Sequence, residues 1–152
     1  MQNPINQIFD KLNEFSSTMK LRQEAYLHAS RLAGFPAQER DTLENCVQKS
    51  ADSLHFIEER LEDISANVSQ LPKQPQIPLK CSLYYAIAKS TTNKMTVYLS
   101  LQLGDLWFLK KFEEYYNSLD LDQFRCLREE TKKHIECLKS GICFPGNQLR
   151  LS

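Results

Sequence analysis

Residues 4–33 read PINQIFDKLNEFSSTMKLRQEAYLHASRLA, and within them Ile5, Ile8, Leu12, Phe15, Met19, Arg22, Tyr26, Ala29 and Ala33 recur at intervals of three and four without a skip. An α-helix completes a turn in about 3.6 residues, so this series runs along one side of a rod and must lie against a partner to leave water. Asn3 followed by Pro4 reads as a helix cap and then a residue whose missing N–H is not needed in the first turn. Gly34, Phe35 and Pro36 end the pattern, because glycine suits the left-handed exit and proline cannot extend the backbone ladder. A first helix is therefore expected over about 4–33, with Arg22 the one charged residue in its buried stripe.

The same spacing recurs further along. Leu43, Val47, Ser50, Leu54, Ile57, Leu61, Ile64, Val68 and Leu71 define a second helix over about 38–70. It starts either just after Pro36 or at the Asp41-x-x-Glu44 capping box. Pro72, Pro75 and Pro78 make residues 71–79 an extended connector between two helical halves. A third helix over about 80–117 reads through Ile87, Thr91, Lys94, Tyr98, Leu101, Phe108, Phe112 and Tyr115; it is read as one helix, with Gly104, which costs roughly 1 kcal/mol relative to alanine, as the alternative site of a kink or break. Asp120 then caps a fourth helix over about 121–140, carrying Phe124, Leu127, Thr131, His134 and Leu138, and residues 141–152 form an irregular tail. No alternating strand pattern and no tandem repeat competes with this reading. The expectation is one all-α domain over 1–152, a four-helix bundle.

Composition removes several classes of function. Lys plus Arg and Asp plus Glu are both 19, so no global field attracts nucleic acid, and no apolar run is long enough to span a bilayer. The N-terminal residues lack the apolar core of a secretory signal, and the Asn67-Val68-Ser69 tripeptide carries little weight as a glycosylation acceptor without one. Five scattered cysteines with no CxxC pair suggest reduced thiols and a cytoplasmic setting, although secretion without a cleavable signal is compatible with the same sequence.

The expected core stripes carry a polar set: Arg22, Ser50, Thr91, Lys94, Thr131 and His134. Buried polar groups are costly unless paired, so such a layer either fixes helix register or lines a small ligand pocket. In layout, four helices in two halves, the chain resembles the ferritin-like superfamily, which implies an inward Glu and a Glu-x-x-His pair from each half to hold two metal ions. The residues depart from that pattern. Helix four offers Thr131-x-x-His134, Arg22 and Lys94 stand where anions are needed, and Asp52-x-x-His55 faces away from its stripe, so the metal chemistry is not carried over. Cys126, Glu130, His134 and Cys137 share one side of a helix but spread over more than about 15 Å, too far to surround one ion. No nucleophile elbow, catalytic triad or phosphate-binding glycine loop is present.

These readings favour a chain that is not an enzyme and carries no cofactor or metal. The leading expectation is an interaction module that binds a protein partner or forms a homo-oligomer through a surplus apolar face of the third helix, marked by Trp107, Phe112 and Tyr116. The rival is a ferritin-like-shaped bundle binding a metal or small anion at the layer of Arg22, Ser50, Lys94, Thr131 and His134.

Overall fold

A computed structural model describes residues 4–67, 79–120 and 122–140. The expected Asn3 cap, almost all of the proline-rich connector, the end of the second helix beyond Asn67, the first residue of the fourth and the tail lie outside these residues. Among the described residues there are five helices and no strand: α1 (Pro4–Ser30), α2 (Ala37–Asn67), α3 (Ser82–Ser90), α4 (Lys94–Ser118) and α5 (Arg125–Ser140). The all-helical expectation holds, but the expected four helices are five.

The difference arises where the third helix was expected to be continuous. Ser90, Thr91, Thr92 and Asn93 are four consecutive short polar residues, whose side chains compete for backbone groups and so disfavour a helix interior. Thr91 is extended at φ −125°, ψ 153°, and its hydroxyl accepts from the Asn93 backbone N–H at 3.1 Å. Asn93 then caps α4, its side-chain oxygen accepting from Thr96 N–H at 3.0 Å. Gly104, the alternative site for a kink or break, lies inside an uninterrupted α4, as the favoured reading of one helix through that position has it. The turn at 91–93 resets the helical phase, so Ile87 on α3 falls out of step with the buried stripe of α4 and is exposed, while Lys94 is exposed as the first residue of α4.

Elsewhere the periodicity is obeyed. Ile8, Leu12, Phe15, Met19, Arg22, Tyr26 and Ala29 are all buried along α1. Gly34 takes the positive φ, 94°, that turns the chain, and α2 starts at the earlier of its two candidate positions, with Arg40 N–H bonded to Pro36 carbonyl at 3.0 Å. Asp120 caps the turn that leads into α5, its side chain accepting from Asp122 N–H at 2.8 Å.

Helix α1 packs on α2, α3 and α4, while α5 packs on α4 and α2. The interior divides into two apolar regions. One gathers Leu12, Phe15, Phe108, Phe112, Ile57 and Leu138 from α1, α2, α4 and α5. Phe15 stacks on Phe112 at 4.9 Å between centroids and meets Phe108 and Tyr115 edge-on at 5.8 and 5.3 Å, contacts worth about 0.5–1.5 kcal/mol each beyond area burial. The other gathers Ala25, Leu43, Cys46, Ala88, Val97 and Leu101 from α1, α2, α3 and α4.

Candidate functional site

Arg22 stands on α1 between these two regions and is 2% exposed. Its Nε and Nη2 donate to the two oxygens of Asp105 on α4 at 2.8 and 3.2 Å, and Asp105 is also 2% exposed. The third guanidinium nitrogen donates to Ser50 Oγ on α2, which in turn donates to the Cys46 carbonyl at 2.8 Å. Tyr26 and Tyr85 each donate a phenolic hydrogen to Asp105, one to each oxygen, and the guanidinium lies 4.7 Å above the Tyr26 ring. Four helices thus contribute to one network. The carboxylate accepts four hydrogen bonds and the arginine uses all three of its nitrogens, so the layer is closed on itself.

Burial is the largest single influence on the Arg22 guanidinium and opposes its charge, but the Asp105 carboxylate, together with Tyr26 and Tyr85, outweighs it and holds the group well above its ordinary value. Burial, reinforced by Asp105, likewise raises Tyr26 and Tyr85 well above the usual phenol range. A buried ion pair adds little stability over apolar residues of the same shape, yet losing one partner alone costs about 3–5 kcal/mol. Such a network specifies which helix faces meet.

Gly104 brings Tyr85 into this arrangement. A Cβ at this position would lie 2.8 and 2.9 Å from Cε1 and Cζ of the Tyr85 ring, so only glycine lets α3 close on α4 far enough for the phenol to reach Asp105.

Of the residues expected in a polar layer, the structure brings Arg22 and Ser50 together and leaves the others apart. Lys94 is exposed near the α1–α2 turn, 3.6 Å from Glu39 and 5.0 Å above the Phe35 ring. Thr131 is buried but donates to the Leu127 carbonyl of its own helix at 2.7 Å. His134 is half-buried, stacked 4.3 Å from Phe56 with Nδ1 3.2 Å from Ser53 Oγ, and burial lowers its pKa below 6.5. Thr91 turns its carbonyl to His28 Nε2 at 2.7 Å. Asp105, Tyr26 and Tyr85 were not among the expected polar set. The available signal was Asp105 itself, one acid within the apolar run LQLGDLWFL at 101–109.

The outer face of α3 and α4 has the opposite character. Leu83 is 65% exposed, Leu106 55% and Trp107 44%, with Ile87 and Leu103 one turn along from Leu83 and Trp107 on their respective helices. Beside them a groove of about 710 Å³ has Leu79, Leu83, Tyr84 and Trp107 as apolar lining, with Lys11, Lys80 and Lys111 and one acid, Glu14, around it. Of the three residues expected to mark a partner surface, Trp107 belongs to this face and Tyr116 is partly buried, 4.5 Å beneath the Arg128 guanidinium. Phe112 is wholly internal, because α4 turns that side towards Phe15.

Cys81 and Cys126 are free thiols, and burial pushes the Cys81 thiol up to about 11. Cys46 is disulfide-bonded, so the expectation of uniformly reduced cysteines does not hold. Among the described residues no three histidine, cysteine or acidic side chains converge as a metal site, and no helix is long and apolar enough to cross a membrane. No protein-family model, curated protein or solved structure matches the chain.

Proposed function

We propose that the chain is a non-enzymatic protein-interaction module, a four-helix bundle interrupted by the turn at Thr91–Asn93, that offers the outer face of α3 and α4 to a protein partner or to another copy. The exposure of Leu83, Leu106 and Trp107 on two helices locked to the interior supports this reading. Tyr85 ties α3 to Asp105 and Arg22 ties α4 to α1, so the face is preformed and little ordering entropy opposes docking. Covering a fully exposed leucine contributes about 1.5–3 kcal/mol, and large apolar side chains grouped on one surface are commonly interaction sites.

A metal- or anion-binding role for the polar layer has weaker support, because Asp105 already neutralises Arg22 and the layer excludes solvent. The free thiols at Cys81 and Cys126 favour a cytoplasmic setting, whereas the Cys46 disulfide favours an oxidising compartment.

Site-specific photocrosslinking in the cells that express the chain tests the reading. A photoreactive residue at Leu106 is expected to give a discrete protein adduct or a crosslinked dimer, and the same residue at Glu62, on the exposed side of α2, is expected to give neither. Equal patterns from both positions, or no adduct from Leu106, would overturn it.

A further inference from the structure

We propose that the partner on the α3–α4 face is an acidic amphipathic helix, whose apolar stripe fills the groove beside Trp107 while its carboxylates meet the surrounding lysines. This rests on the reading of that face as an interaction surface and adds the chemistry of what binds there.

Charge is segregated on this part of the molecule. The chain as a whole has equal numbers of cationic and anionic residues, yet from Lys80 to Lys111 every exposed charged side chain is a lysine: 80, 89, 94, 110 and 111. The one acid in that span, Asp105, is buried and neutralised by Arg22. Lys89 and Lys94 answer acids on α1 and α2, at 2.6 Å from Glu24 and 3.6 Å from Glu39. At the groove, Lys11 pairs with Glu14 at 3.2 Å and Lys111 with Glu114 at 3.4 Å. Among the described residues Lys80 and Lys110 have no acidic partner, and the Lys110 ammonium lies 4.9 Å above the Trp107 ring. The groove end of the face is therefore apolar at its centre and carries surplus positive charge at its edge.

That combination selects among occupants. A second copy docked symmetrically through the same face would bring together two patches that carry the same surplus of positive charge, which disfavours the pairing. Anionic lipid suits lysine and tryptophan but presents a flat boundary, whereas this site is a groove walled by α1 at Lys11 and Glu14, by the start of α3 and by α4 at Trp107 and Lys111. A helix is a rod about 10–12 Å across with apolar anchors spaced at three, four and seven residues, and it matches a groove that lies along paired helices. Carboxylates flanking those anchors supply the missing counter-charge and raise the rate of encounter, an effect that weakens as salt increases.

A peptide-display selection tests this with the whole chain as target. The library holds helical peptides of about five turns with fixed apolar anchors, and their flanking positions are randomised between Glu and Lys. The selected pool is expected to favour Glu over Lys by roughly ten-fold, to lose that preference against Lys80→Glu/Lys110→Glu, and to lose binding against Trp107→Ala. Binding that depends on Trp107 but is unbiased or Lys-rich overturns the acidic partner and leaves the interaction surface standing. No binders, or binders indifferent to both Trp107→Ala and Leu83→Glu, overturn both. Two parallel measurements cover the other occupants. A blue shift of Trp107 emission with phosphatidylserine-containing vesicles but not with selected peptides assigns the face to membrane. Dimers in sedimentation that Leu83→Glu dissolves assign it to a second copy. Either result overturns the acidic helix.

Discussion

Replacing Gly104 with alanine sets helix propensity against packing, and the structure decides which prevails. In an exposed helix interior the change stabilises by about 1 kcal/mol. Here the added methyl would sit 2.8 and 2.9 Å from two carbons of the Tyr85 ring, against an ordinary carbon–carbon separation of about 3.5–4.0 Å. The ring cannot swing aside freely, since Tyr85 is fully buried and its hydroxyl is held by Asp105. Overpacking of this kind costs about 1–3 kcal/mol, and weakening a hydrogen bond to a charged acceptor costs about 1.5–3 kcal/mol. Subtracting the propensity gain leaves Gly104→Ala less stable by about 1.5–5 kcal/mol, or about 3–20 °C in Tm for a chain of this size. Urea unfolding followed by far-ultraviolet circular dichroism measures the difference. In a Tyr85→Leu background, where the ring is gone, the same substitution should cost much less, and the double-mutant cycle isolates the coupling. A single variant as stable as the native chain would refute the close approach of α3 to α4 and its role in seating the phenol.

The other expectations concern the same interior and the outer face. Asp105→Leu should destabilise by about 3–5 kcal/mol by leaving Arg22 buried without a counter-charge, and Arg22→Met/Asp105→Leu should recover most of that in the same denaturation assay. Tyr26, Tyr85, Tyr98 and Tyr115 all have raised pKa values, burial being the foremost cause, so in an alkaline titration their phenolate absorbance should appear only as the chain unfolds. His134 has a folded pKa below its unfolded value of 6.5, so the unfolded chain binds the proton more readily; stability is fully present above that value and declines as pH falls from it towards the folded pKa. His134→Gln should flatten the decline, measured as urea midpoints on either side of the window. Trp107→Ser and Leu106→Gln should change stability by no more than about 0.5 kcal/mol, because both side chains are substantially exposed, and thermal melts check this.

Much of the fold is legible in the three-and-four spacing because burial of one helix face is a local property of sequence. The α1 stripe from Ile8 to Ala29 is buried residue for residue, and Gly34 and Pro36 mark the turn that follows it. The division of α3 from α4 was less visible because two signals competed. Gly104 drew attention as a helix breaker while Ser90 to Asn93, whose hydroxyls and amide divert backbone hydrogen bonds, did the breaking. Lys94 and Thr91 lie at the turn and not in the core, whereas Asp105, one turn from both Leu101 and Phe108, falls on the buried stripe and is set apart there only by its charge. Partnership across 83 residues is not encoded in periodicity at all, so Arg22 could be recognised as anomalous without its counterpart being identified. The exposed face was visible only as an excess of apolar residues. Which of them point outward depends on how α3 lies across α4, and that places Leu83 and Leu106 outside and Phe112 within.

The distance along the chain between Arg22 and Asp105 also bears on the order in which the molecule assembles. A nascent chain that has grown only through α1 and α2 holds a guanidinium that nothing in that hairpin neutralises, since Ser50 offers it only an uncharged oxygen. Sealing that charge away from water becomes favourable only once the carboxylate has been synthesised and delivered by α4. Closure around Arg22 therefore draws on both halves of the sequence, and a fragment ending after α2 is expected to leave that guanidinium in water.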